Sequence, residues 1–258
     1  MQTILFHDII FGPIKSRRLG VSLGINLLPT DGKVCSFDCI YCECGYNAQG
    51  KGSGLNKRSD VKVALENKLQ EMKEKGEAPD VLTFAGNGEP TLHPEFEEII
   101  NDTIELRDRY FPNAKVSVLS NATRISKDSV FSALNKVDNN ILKLDSAFTE
   151  TIRLINAPNI PSFTAEQLIE NLQKFNGNLI IQTMFLRGSH DGQTVDNTTP
   201  REIDAWLDAL QKIRPQKVMI YTIDRQTPEK ALEKIPAEQM NAIADRARTL
   251  GFEVSVSA

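Results

Sequence analysis

Two apolar patterns alternate along the chain. Short β-type runs fall near Gly20–Leu28, Val81–Ala85, Lys115–Leu119, Asn140–Leu144, Asn178–Phe185 and Lys217–Ile223, with a last short one at Phe252–Ser255. Between them, apolar residues at helical spacing predict helices over Asp60–Lys75, Glu95–Tyr110, Lys127–Leu134, Ala165–Phe175, Arg201–Ile213 and Glu238–Leu250. Ser126, Thr164 and Pro200 supply starts, and Gly251 supplies a stop after the last helix. Such alternation is the signature of repeated βα units around a mostly parallel sheet, and six or seven strands are fewer than an eightfold barrel requires. No low-complexity linker or short repeat interrupts the pattern, so residues 1–258 read as one domain.

Two polar stretches are too long for simple connections. Glu43 to Ser59 contains Gly45, Gly50, Gly52 and Gly54, and Leu186 to Thr199 runs through Arg187, Gly188, His190, Asp191 and Asn197. Loops after parallel strands gather on the ligand-binding face, so 43–59 and 186–199 are expected to act as lids. A surface excursion without function is the alternative for the first.

Composition narrows the class. At 258 residues with 40% hydrophobic content the chain can bury a core. No apolar run approaches the roughly 20 residues of a membrane span, and His7 and Asp8 interrupt the only stretch resembling a signal-peptide core, so a cytoplasmic location is expected. Net charge is −4, yet residues 1–63 hold eight Lys and Arg against five Asp and Glu. That asymmetry permits an anionic substrate near the N-terminal third, or is a solvated charged face; a basic stripe of the nucleic-acid kind is missing. All four cysteines lie between positions 35 and 44, which excludes a dispersed disulfide framework and reads as metal binding.

Cys35-Ser-Phe-Asp-Cys39-Ile-Tyr-Cys42 places three thiolates in eight residues after the first strand, close enough to wrap one small inorganic core. A cubane has four irons, so three protein thiolates leave one iron open to an exogenous ligand, as a catalytic cluster needs. The competing reading is a zinc site with Cys44 as fourth ligand, although zinc sites usually draw on two separated pairs.

This CxxxCxxC pattern, with Tyr41 before the last cysteine, resembles the motif of the radical S-adenosylmethionine (SAM) superfamily. Phe84-Ala85-Gly86-Asn87-Gly88-Glu89-Pro90 resembles its Gly-Gly-Glu-Pro element, with Asn87 as a departure between the glycines. The segment Phe11–Gly24, Leu142–Asp145, Gln182–Gly188 and Tyr221–Arg225 look like a subgroup of small radical SAM proteins related to wybutosine-synthesis enzymes. The resemblance implies an α/β fold: a partial (β/α)6 barrel, mostly parallel and laterally open.

It also implies roles. The open iron of a [4Fe–4S] cluster held by Cys35, Cys39 and Cys42 would bind SAM, whose reductive cleavage gives methionine and a 5′-deoxyadenosyl radical that abstracts hydrogen. Gly86, Asn87, Gly88 and Glu89 would line the SAM amino group, Glu89 by a charge-assisted hydrogen bond or else as a helix-start carboxylate near Pro94. Tyr41 would pack against adenine or wall the cluster from water, and Asn121 would meet SAM's polar groups or form a turn. Strand alternation puts Lys143 and Asp145 on one face, for SAM or substrate or as an ion pair at the barrel mouth. Gln182 shares a face with Met184, and Arg187, Tyr221, Asp224 and Arg225 are weaker contacts. His7 and His93 read as structural, and His190 as an exposed loop residue or a proton carrier. Cys44 is reactive toward substrate or incidental.

One spare cysteine excludes an auxiliary cluster, and the electron would come from a separate reductant such as flavodoxin or ferredoxin. A lateral opening admits a tRNA, a protein or a small molecule. Subgroup kinship points to tRNA modification; a glycyl-radical activase or peptide modifier, and a non-catalytic metal-binding protein, are the alternatives.

Overall fold

The computed structural model describes residues 4–16, 19–47 and 54–258. Gly50 and Gly52 of the first long loop, and Arg17 and Arg18 of the N-terminal segment, lie outside them. The main sheet has eight strands: β1 (Ile10–Ser16), β2 (Gly20–Ile25), β3 (Val81–Phe84), β4 (Lys115–Ser120), β5 (Asn139–Lys143), β6 (Ile180–Met184), β9 (Lys217–Tyr221) and β11 (Val254–Ser257). They lie in that order across the sheet. β1 runs antiparallel to β2, and every later neighbour is parallel. β1 and β11 form the two edges, so the α/β half-barrel is laterally open. The parallel strands agree with the sequence reading to within a few residues. β1 escaped it because Gly12-Pro13 interrupts the apolar run, and proline is tolerated only at such an edge.

Helices α1 (Arg58–Glu74), α2 (Phe96–Tyr110), α3 (Asp128–Lys136), α4 (Thr149–Asn156), α5 (Ala165–Gln173), α6 (Pro200–Ile213) and α7 (Ala237–Thr249) connect the strands. α1 buries Val61, Leu65, Leu69 and Met72, one face at helical spacing. Thr164 caps α5 by accepting from Gln167 N, as expected. The start of α6 is a finer version of the predicted one: Thr199 caps it through Glu202 N, with Pro200 in the first turn. At α3 the expectation fails, since Lys127 occupies the cap position and no side chain bonds there.

Alternation divides the strands into two faces. Leu23, Leu82, Phe84, Val116, Val118, Leu142 and Ile181 are fully buried in the main core. The opposite face is more polar: Ser22 and Thr83 hydroxyls meet at 2.8 Å, and Asn139 Nδ2 donates to Ser117 Oγ at 2.8 Å.

The long polar stretch 186–199 is not a loop. It folds as β7 (Leu186–His190) and β8 (Gln193–Asp196), which join β10 (Leu232–Lys234) in a three-stranded antiparallel sheet. Asp191 and Gly192, at φ 49° and 75°, make the two-residue turn. An Asp-Gly pair is well suited to that left-handed geometry. Arg187, expected beyond the strand, therefore lies within β7.

Candidate active site

The cysteine loop hangs between β2 and α1 and is fastened at both ends. Val34 N donates to Asn87 O at 2.9 Å and Glu89 N to Val34 O at 3.1 Å, stitching the loop to the Gly86–Pro90 segment. Here the two glycines are required sterically. A Cβ on Gly86 (φ 139°) would lie 2.5 Å from Asn26 Oδ1, and one on Gly88 (φ 135°) 1.8 Å from Val34 O. At the far end Asn47 accepts from Cys35 N at 2.9 Å and donates to Cys35 O and Phe37 O at 3.2 and 3.1 Å.

Three N–H groups are aimed at the thiols. Asn121 Nδ2 and Phe37 N each lie 3.5 Å from Cys35 Sγ, and Asn156 Nδ2 lies 3.3 Å from Cys39 Sγ. Burial pushes the Cys35 thiol up strongly, and Cys39 up to about 11. Cys42 moves down, first through a hydrogen bond from Cys44 and then, against burial, through the charge of Lys33. Cys44 moves up in return, and its Sγ lies 3.5 Å from Gly86 O. Lys33 is a buried cation that interacts electrostatically with Cys42 most, then with Cys35 and Cys39.

Thiols that are buried at Cys39 and half-buried at Cys35 and Cys42, with N–H donors and a buried cation, suit anionic sulfur ligands to an iron–sulfur core. Among the described residues no three His, Cys, Asp or Glu converge on one point as they would around a single ion. Asn26 supplies a further sign of an unmet partner. Its Oδ1 accepts from Leu28 N and Asn87 N, both at 3.2 Å, while its Nδ2 is buried beside Gly86 without an acceptor.

The Gly86–Pro90 side chains face different tasks. Glu89 is almost fully buried and accepts from Thr91 N (3.1 Å), Thr91 Oγ1 (2.5 Å), Ser120 Oγ (2.8 Å) and Asn121 N (2.6 Å). Burial raises its pKa against the downward pull of those donors. It caps the short 3₁₀ turn Pro90–Leu92, so its helix-start role is present, though at Pro90 rather than Pro94. Asn87 explains the departure from Gly-Gly: its side chain accepts from Phe6 N (2.9 Å) and donates to Phe6 O and Pro29 O (both 2.8 Å). Asn121 holds the loop: its Oδ1 accepts from Thr123 N at 3.1 Å, and its Nδ2 donates to Ser36 Oγ at 2.9 Å.

Beside Cys39 lies a second polar group. Lys143 Nζ donates to Tyr41 OH at 2.7 Å and Tyr221 OH at 3.1 Å and pairs with Asp145 Oδ2 at 3.5 Å. Tyr41 OH donates to Asp145, and Asn156 Nδ2 reaches Asp145 Oδ2 at 2.7 Å and Tyr41 OH at 3.1 Å. Burial pulls the Lys143 pKa down, but Asp145, with Tyr221 and Cys39, more than restores it, so the amine is held as a cation. Tyr41, Lys143, Asp145 and Tyr221 are thus brought together, joined by Asn156.

Gln182, paired in register with Lys143, is buried and lines a cavity of about 80 Å³ with Ser22, Thr83, Leu119, Ile141 and Met219. The remaining candidates lie elsewhere. Arg225 pairs with Glu43 at 2.7 Å, and Arg187 Nε approaches Glu233 at 3.6 Å. His190 sits 3.5 Å from Glu229, which also accepts from Tyr46. His93 Nε2 meets Asn56 O at 2.8 Å while its Nδ1 accepts from Glu95 N, and His7 Nδ1 lies 3.1 Å from Thr30 O.

This geometry has counterparts. The Radical SAM superfamily profile matches residues 30–197, and the chain belongs to that superfamily; a [4Fe–4S] cluster and SAM are its cofactors. More narrowly, it is a relative of the UPF0026 proteins. The one from Helicobacter pylori (strain J99) is 30% identical over 228 residues, 86% of this chain and 68% of that protein. This chain is also 30% identical over 234 residues, 90% of its length, to a protein named GTPase Obg from Brachyspira hyodysenteriae, of which it spans only 32%. A radical SAM methyltransferase from Sphaerobacter thermophilus shares the fold, with a TM-score of 0.67 at 12% identity, over 92% of this chain and 65% of that one.

Proposed function

We propose that this protein reductively cleaves SAM and directs the resulting radical to a hydrogen atom of a tRNA nucleoside. The observation that carries the cleavage is the three-cysteine loop, with N–H donors on two of its sulfurs, set against the buried Tyr41–Lys143–Asp145–Asn156 network. When bound, the cluster supplies one electron to the SAM sulfonium, drawn from an external flavodoxin- or ferredoxin-type donor.

In this reading Cys35, Cys39 and Cys42 hold the cluster, and Asn121 and Asn156 orient two of its sulfurs. The backbone of Gly86, Asn87 and Gly88 lines the SAM amino group, with the Glu89 carboxylate beside it, anchored by Thr91, Ser120 and Asn121. Lys143 receives the SAM carboxylate, its charge held by Asp145, while the Tyr41 ring flanks the adenine. Gln182 presents its amide below this layer. The open edge between β1 and β11 leaves room for a large substrate, and the wybutosine-type segments favour tRNA.

The test is anaerobic reconstitution, reduction and mass spectrometric detection of 5′-deoxyadenosine, with and without total tRNA or a peptide extract. Formation stimulated by tRNA supports the full reading. Stimulation by peptides alone replaces the substrate, and no product in any mixture overturns the cleavage.

A further inference from the structure

Lys33 is not needed for its structural bonds alone. Its side chain is 2% exposed, and Nζ donates to Gly45 O at 2.7 Å and to Asp38 Oδ1 at 3.2 Å. A buried ammonium is costly unless charge of opposite sign surrounds it. Asp38, about a third exposed, is a weak partner. A neutral donor would serve the Gly45 carbonyl, as Asn47 Nδ2 serves the carbonyls of Cys35 and Phe37. What calls for a charge is where the ammonium sits: Gly45, whose N donates to Cys42 O at 2.9 Å, and Asp38, next to Cys39, hold Nζ within the cysteine loop, where Cys42, Cys35 and Cys39 act on it electrostatically.

We propose that Lys33 is the counter-charge that sets the reduction potential of the cluster, an inference that rests on the radical SAM reading above. Reduction moves one electron from the external donor to the cluster and breaks or forms no bond. The added negative charge sits among three thiolates, so a buried cation stabilises the reduced form more than the oxidised one. Lys33 therefore makes the electron easier to load. Asp38, which accepts from the same ammonium and adjoins Cys39, carries the opposite charge and works in the opposite direction.

The experiment is an EPR-monitored potentiometric titration of the anaerobically reconstituted protein and three variants. Lys33→Met is expected to be at least tenfold less reduced at a fixed potential, a downward midpoint shift of about 59 mV or more for one electron. Lys33→Arg is expected to stay within about twofold of the parent, about 18 mV by the same relation. Asp38→Asn keeps an oxygen for Lys33 and for Asn47 N, which it accepts at 2.8 Å, and its midpoint is expected to rise. Opposite signs for Lys33→Met and Asp38→Asn separate charge from scaffolding, since two loosened loops would shift alike.

An unchanged midpoint in Lys33→Met, or a fall in both variants, overturns the proposal. Should Lys33→Met fail to assemble a cluster, Lys33→Gln, which removes the charge but can still donate to Gly45 O, is titrated in its place: a downward shift of the same size upholds the proposal, and an unchanged midpoint overturns it. A parent protein that assembles no [4Fe–4S] cluster removes the radical SAM reading itself, and this inference with it.

Discussion

Asn87→Gly restores the double glycine of the family motif, and the structure predicts that this harms the protein. The substitution deletes the bond from Phe6 N to Oδ1 at 2.9 Å and those from Nδ2 to Phe6 O and Pro29 O, both at 2.8 Å. Each is worth about 0.5–1.5 kcal/mol net. The two at Phe6 anchor the N-terminal segment, so its local opening should become easier by about 1–3 kcal/mol. That is roughly a 5- to 150-fold rise in exchange of the Phe6 amide, followed by hydrogen exchange with NMR or mass spectrometry. Global stability from urea unfolding should fall less, by about 1–2.5 kcal/mol, from the Pro29 bond and the added backbone freedom of glycine. Phe6 exchange within about twofold of the parent would refute the account of why this chain carries asparagine there.

Three further outcomes follow from the same geometry. Gly88→Ala drives a Cβ into Val34 O; the variant should retain about tenfold less iron after reconstitution, and an unchanged iron content would contradict the stitching of the loop. Lys143→Met should bind SAM about tenfold more weakly by calorimetry with its iron content intact, the scale of one lost charged hydrogen bond; equal affinity would remove Lys143 from the SAM site. Asp102 is held below the usual carboxylate range by a hydrogen bond from Arg58 and then Lys62, against burial. Its stabilising contribution is therefore complete above the unfolded aspartate value of about 3.9 and is lost as pH falls below it. The deficit of Asp102→Asn in urea should be full at pH 7 and shrink progressively as pH falls from about 3.9 through the lowered folded value; a constant deficit would exclude the charge as its cause.

The parallel core was legible because its strands are buried runs bounded by helices with clear apolar faces, as in α1 and α6. α4 was missed since eight residues give barely two turns of periodicity. The β7–β8 hairpin was missed because polarity outweighed its one decisive signal, Asp191-Gly192. In the site, spacing exposed the cysteines and strand alternation exposed Lys143 and Asp145. Asn26, Lys33, Asn47 and Asn156 gave no such pattern. Asn156 meets Cys39 across 117 positions of chain, a contact that only tertiary packing creates. Lys33, two residues before the first cysteine, was the one signal within reach.

The central claim is an iron–sulfur cluster with one iron left open for SAM. The most direct measurement is EPR and electron–nuclear double resonance of the reduced, reconstituted protein with SAM labelled in its methionine carboxylate and amino group. The account predicts a [4Fe–4S]⁺ signal that changes on adding SAM and shows coupling to both labelled groups. A cluster signal indifferent to SAM, or zinc in place of iron on Cys35, Cys39 and Cys42, would contradict it.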